Sequence, residues 1–124
     1  MYSRYSDRVD FYSIYLREAH PTDGWRLESN DKAGIKIANP KTIEEREKVA
    51  ATCCETLQMS MPLLVDTIDN AVGESYSGFP DRLYIIDRAG RVSYKGGRGP
   101  VGFDPGGMEQ ALLLLLLESR LASP

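Results

Sequence analysis

The chain has 124 residues, 42% of them hydrophobic and 27% charged. That is enough for one hydrophobic core and not for two, so a single domain over residues 1–124 is expected. A formal charge of -3 leaves no surplus of Lys and Arg for neutralising phosphates, so nucleic acid is excluded as the expected partner. The longest apolar run, Ala111–Leu117, is far shorter than the roughly 18 to 20 residues of a membrane span. With no signal-peptide pattern in the first residues, a cytoplasmic location is expected.

In chain order, the first element expected is a strand over Val9–Leu16, VDFYSIYL, rich in aromatic and β-branched residues. Such a run fits an interior strand covered on both faces. The stretch EAHPTDGW, Glu18–Trp25, follows and holds the only histidine and the only tryptophan; a polar loop with Gly34 and Pro40 comes next. Thr42 with Glu45 three places on is a capping box, which predicts a helix from there to about Leu57. Ile43, Ala50, Cys53 and Leu57 fall at spacings that mark its buried stripe. Leu63, Leu64 and Val65 read as a short strand entering the acidic turn Asp66–Asp69, with a short helix over Asn70–Tyr76.

Leu83–Asp87 and Arg91–Lys95 form a predicted hairpin joined by Arg88-Ala89-Gly90, with Gly90 where a positive φ is useful. A last helix is expected to begin near Gly107 or Met108. Its six consecutive leucines, Leu112–Leu117, point in every direction around the axis. One face can pack on a sheet, and the other predicts an exposed patch suited to a homodimer, unless crossing loops cover it. The order of elements argues for an α/β sheet covered on both faces, with parallel neighbours first and an antiparallel hairpin last.

Adjacent cysteines, Cys53 and Cys54, cannot close a mutual disulfide in a regular helix and are too few for a four-ligand zinc site, so reduced thiols and no metal are expected. They sit mid-helix, away from the helix N-terminus or basic neighbour that lowers a thiol pKa. His20 lies where an open α/β sheet carries its crevice, and imidazole both holds and releases a proton near neutral pH. The alternative is a histidine that only bonds a loop backbone. Trp25 offers an aromatic wall to a ring-bearing ligand or a loop anchor on the core. Arg98, flanked by glycines in GGRGP, offers a guanidinium fork to a ligand carboxylate, or is a solvated arginine in a tight turn. GGRGP itself follows a strand of a hairpin and lacks the lysine and spacing of a phosphate-binding loop.

Three motifs, YSDRVDFYSIYLREAHPTDGW, LLVDTIDNAVGESY and FPDRLYIIDRAGRVSYKGGRGPVGF, together resemble the iodothyronine deiodinases and their bacterial deiodinase-like relatives. The resemblance covers nearly the whole chain. It implies a thioredoxin-like sheet with helices on both faces and a selenocysteine or cysteine nucleophile at the mouth of the first strand. The sequence starts past that point, so the central N-terminal strand and the nucleophile are expected to be missing, as in a truncated reading. It also implies that Glu18, His20 and Tyr15 manage the proton that replaces a halide. Asp81 would stand where the family carries a glutamate, and Arg98 would hold the substrate. No cofactor is implied beyond a thiol reductant as cosubstrate.

The second histidine of the vertebrate enzymes falls at about Pro40, which cannot donate a hydrogen bond; this points to an aromatic substrate other than thyroid hormone. Two further readings stay open: a non-catalytic remnant that binds an aromatic ligand or a partner chain, and a Cys53 or Cys54 redox sensor.

Overall fold

A computed structural model describes residues 1–17 and 40–122. The chain divides into two compact units, Met1–Tyr76 and Ser77–Pro124, and both are built from helices and short strands.

In the first unit a single helical turn, α1 (Tyr2–Tyr5), precedes β1 (Ser13–Tyr15). β1 pairs in parallel with β2 (Leu63–Val65), Ile14 standing opposite Leu64. Parallel neighbours need a long crossover, and helix α2 (Ile43–Leu57) lies within it and packs against β2. Side chains alternate across the pair: Ser13, Tyr15, Leu63 and Val65 are half-buried, while Ile14 and Leu64 are 41% and 47% exposed. The strand expected over Val9–Leu16 is therefore shorter and is not interior. Among the described residues its ladder has a partner on one edge only, and Tyr12 and Ile14 are exposed.

α2 starts where the capping box places it. Thr42 is extended, at φ -127° and ψ 159°, and its Oγ1 accepts from the Glu45 N–H at 3.2 Å. The Glu45 carboxylate returns to the Lys41 N–H at 2.8 Å, one residue before the cap. Gln58 ends the helix in the left-handed region at φ 51°. Ala50 is buried, and Ile43 and Cys53 are half-buried. Leu57, expected on the buried stripe, is 66% exposed because it is the last helical residue, at the turn out of the helix. The buried place on that stripe is taken instead by Arg46.

In the second unit β3 (Tyr84–Ile86) and β4 (Val92–Lys95) form the expected antiparallel hairpin, with a bulge at Ile85/Ile86. Gly90 has φ +81°, a conformation that any side chain would strain. The Asp87 carboxylate accepts from the N–H groups of Ala89 and Arg91, each at 2.9 Å, so the connection is closed by its own first residue. Helix α4 (Pro105–Ala122) packs on both strands, with Ile85 and Leu112 buried.

α4 begins two residues before the expected Gly107. Asp104 caps it, Oδ1 accepting from the Gly107 N–H at 3.0 Å, and proline at the first helical position lacks only an N–H that has no partner there. Of the leucine run only Leu112 is buried, and Leu113, Leu114, Leu117 and Leu121 are exposed, as the all-round apolar pattern predicts. Among the described residues the strands make two separate two-stranded sheets rather than one continuous sheet. No helix among them is long and apolar enough to cross a membrane.

Candidate functional site

Chemistry-bearing residues gather at two places, one in each unit. In the first unit the place is the C-terminal end of β1, where the Tyr15 carbonyl accepts from the Asp66 N–H at 2.9 Å. Asp66 is 1% exposed. Its Oδ1 accepts from the N–H groups of Thr67 and Val72 at 2.8 and 2.9 Å, and its Oδ2 from that of Gly73 at 2.8 Å. Val72 and Gly73 belong to the first turn of helix α3 (Ala71–Ser75), so a strand-end carboxylate satisfies donors that a helix start leaves open.

Arg46 closes the arrangement from α2. Its Nη1 donates to the Thr67 carbonyl at 2.6 Å and, at 3.5 Å, to that of Asp66; its Nη2 donates to Asn70 Oδ1 at 2.8 Å. Its Nε is buried and has no hydrogen-bond partner among the described residues. Burial pushes the Asp66 carboxyl up, but the N–H groups of Gly73, Val72 and Thr67 and the charge of Arg46 outweigh burial and hold it below the ordinary carboxylate value. Both residues escaped the sequence reading as parts of a site. The signal was present for Arg46: it lies three residues after Ile43 and four before Ala50, on the stripe already marked. A charged residue is rarely placed there, because full burial needs partners a sequence does not show.

In the second unit the place is the turn after β4. The N–H groups of Gly96 and Gly99 donate to the carbonyls of Leu83 and Asp81, both at 2.9 Å, and that of Gly102 to the Arg98 carbonyl at 2.7 Å. Arg82 braces the turn from outside, Nε donating to the Gly96 carbonyl at 2.7 Å while its guanidinium lies 5.9 Å from the Tyr84 ring centroid. A Cβ on Gly102 would meet the Gly97 carbonyl carbon at 2.5 Å and the Arg98 oxygen at 2.7 Å; one on Gly99 would collide with the Asp81 carboxylate. Gly97 and Gly102 are needed for close backbone approach, whereas Gly99 makes room for the Asp81 side chain. The Phe79–Pro80 and Gly99–Pro100 peptides are cis.

The turn thus brings together two of the expected residues. Asp81 lies against Gly99, beside Arg98; both charged side chains are exposed, and the Arg98 guanidinium has no ion-pair or hydrogen-bond partner among the described residues. Tyr15 is half-buried in the other unit. Glu18, His20 and Trp25 lie outside the described residues. Cys53 and Cys54 are half-buried thiols within α2. No group of three or more His, Cys, Asp or Glu residues suited to a metal ion occurs among the described residues.

The model of the iodothyronine deiodinase family matches residues 1–114. The chain belongs to the iodothyronine deiodinase family. It is 40% identical over 101 residues to a thyroxine 5-deiodinase of Sparus aurata, covering 82% of this chain and 36% of that protein. It is similar to the thyroxine 5-deiodinase of Gallus gallus at 39% over 97 residues, covering 78% of this chain and 36% of that protein. The thyroxine 5-deiodinase of Homo sapiens is 38% identical over 104 residues, covering 82% of this chain and 32% of that protein. The chain spans about a third of the length of these relatives.

Proposed function

We propose that residues 1–124 form the substrate-holding and proton-handling part of a thioredoxin-like domain that reductively dehalogenates an aromatic compound. In this reading a selenolate or thiolate takes the halogen, the carbon–halogen bond breaks, and the electron pair left on the ring carbon is protonated. His20 delivers that proton, with Glu18 and Tyr15 holding the imidazole and Asp81 supplying a second carboxylate near the substrate. Arg98 orients the substrate through a carboxylate, and Trp25 packs on its ring. A thiol reductant, available in a reducing cytoplasm, then restores the nucleophile and releases halide.

In this reading the nucleophile is neither Cys53 nor Cys54, which sit mid-helix in α2. A second copy would dock on the exposed leucines of α4, Leu113, Leu114, Leu117 and Leu121.

The observation that carries the reading is Arg98. A guanidinium on a braced glycine turn, exposed and without a partner among the described residues, is pre-positioned for an anionic group from outside. The test is halide release from an iodinated phenol with a dithiol as reductant, by the chain preceded by the nucleophile segment of a relative. His20→Ala is expected to lower kcat by about 100-fold or more, the size of a lost general acid. Arg98→Ala is expected to raise KM for a substrate bearing a carboxylate and to leave KM for its amide unchanged. Absence of dithiol-dependent release, or release indifferent to His20→Ala, overturns the reading.

A further inference from the structure

We propose that two copies of the chain associate through the outer face of α4 with the two helices parallel, Glu118 of each meeting Arg120 of the other. This alignment rests on the reading that a second copy docks on the leucines of α4. At about 100° per residue the helix has two distinct sides. Leu112 is buried, and Met108, Leu115 and Leu116 are half-buried on the side that packs against β3 and β4. Leu113, Leu114, Leu117 and Leu121 are exposed and centre on the opposite side, with exposed Gln110 in line with them. Gln110, Leu114, Leu117 and Leu121 recur at steps of four, three and four, which is the seam spacing of paired helices.

Two charges flank this seam near its C-terminal end. The same angular step puts Glu118 about 80° to one side of the stripe's centre and Arg120 about 80° to the other. Both side chains are exposed, and neither has an ion-pair or hydrogen-bond partner among the described residues. The outer face is therefore apolar along its middle, acidic on one rim and basic on the other. A face of that kind complements a second copy of itself.

Symmetry then decides the alignment. A two-fold axis running along the helices sets the acidic rim of one copy against the basic rim of the other, so Glu118 faces Arg120 on both sides, offset by about 3 Å along the axis. A two-fold axis perpendicular to the helices sets like rims together, Glu118 on Glu118 and Arg120 on Arg120. Unlike charges beside a seam favour their alignment and like charges penalise theirs, so the parallel pair is selected. It places Gln110 beside Gln110 of the second copy, whereas an antiparallel pair centred on Leu117 holds them about 20 Å apart. A seam of about three turns is a small interface, so a reversible dimer with a Kd on the order of 100 µM is expected.

The test is sedimentation equilibrium of the 124-residue chain over about 10 µM to 1 mM. Leu117→Asp, at an exposed position that leaves the core untouched, should raise the dimer Kd by about 30-fold or more. Glu118→Arg alone should raise it about tenfold, because cations then meet on both sides, and adding Arg120→Glu should return it to within about threefold of the original. In an antiparallel pair the single reversal only exchanges one repulsion for another and leaves Kd unchanged. Gln110→Cys, in a chain with Cys53→Ala and Cys54→Ala, should cross-link to its own copy under mild oxidation. A chain that stays monomeric at about 1 mM overturns the second-copy reading and the alignment with it. A dimer indifferent to Glu118→Arg, or one that Gln110→Cys does not cross-link, overturns the alignment alone.

Discussion

The two units hold their candidate residues by different means. In the first, the end of β1 is fixed by charged side chains: Arg46, distant in sequence on α2, bonds the Thr67 carbonyl and the Asn70 side chain, and the Asp66 carboxylate reaches forward to the start of α3. In the second, the Arg98 turn is fixed by backbone contact between glycines and by bonds within a short stretch of chain. The first arrangement rests on buried charge and fails if one side chain is lost. The second rests on the absence of side chains and fails if one is added.

The largest effect is therefore expected from Arg46→Ala. Removing one member of a buried charged network costs about 3–5 kcal/mol, because the groups left behind lose their partners without regaining water. Urea denaturation should report that loss, and amide exchange should localise it to β1, β2 and α3 while the hairpin amides of residues 84–95 keep their protection. Equal loss of protection in the hairpin would show that the two units do not respond separately.

The same network has a pH signature. Asp66 has a folded pKa below its unfolded value of about 3.9, for the reasons given above. Its contribution to stability is present above that unfolded value and is lost as pH falls through the folded one. Asp66→Asn should lower stability at neutral pH and flatten the fall in stability below about pH 4. An unchanged acid limb would remove Asp66 from the account.

In the second unit the counterpart is Gly102→Ala. The added methyl meets backbone rather than a movable side chain, so the turn itself must shift, at a cost of about 1–3 kcal/mol. Gly99→Ala meets a carboxylate that can rotate, so it should cost less stability while displacing Asp81. Comparing the two by thermal unfolding sharpens the contrast: if Gly99→Ala is the more damaging, Asp81 is more rigidly held than its exposure suggests.

These contrasts also explain what the sequence made legible. Local signals carried through: the Thr42–Glu45 box, the Arg88-Ala89-Gly90 connection and the Leu63–Val65 strand all lie where expected, because each depends on neighbours within a few residues. The Asp104-Pro105 start of α4 obeys the same kind of local rule, a side-chain cap followed by proline at the first helical position. Long-range arrangements did not carry through. The exposure of Ile14 depends on which edges and faces of β1 are covered, and VDFYSIYL has the same apolar pattern whether they are or not. Arg46 was invisible for the converse reason: its burial is made tolerable by the carbonyls of Asp66 and Thr67 and the side chain of Asn70, which only the fold assembles. Of the candidate site, the pairing of Asp81 with the Arg98 turn follows from close glycine packing, and neither residue advertises the other in sequence.

The smallest effects are expected where the units are alike. Each carries one long helix with a side-chain N-cap: Thr42 Oγ1 on the Glu45 N–H in α2, and Asp104 Oδ1 on the Gly107 N–H in α4. Loss of such a cap costs about 1 kcal/mol, so Thr42→Ala and Asp104→Ala should lower stability by similar amounts in urea denaturation. Asp104 also ends the glycine turn, with its backbone carbonyl accepting from Met108 at 3.2 Å. If the turn is set by its glycines, removing the Asp104 side chain leaves that backbone bond and the position of Arg98 intact. A cost for Asp104→Ala well above that for Thr42→Ala, with altered resonances at residues 96–103, would instead make the cap part of what aims Arg98.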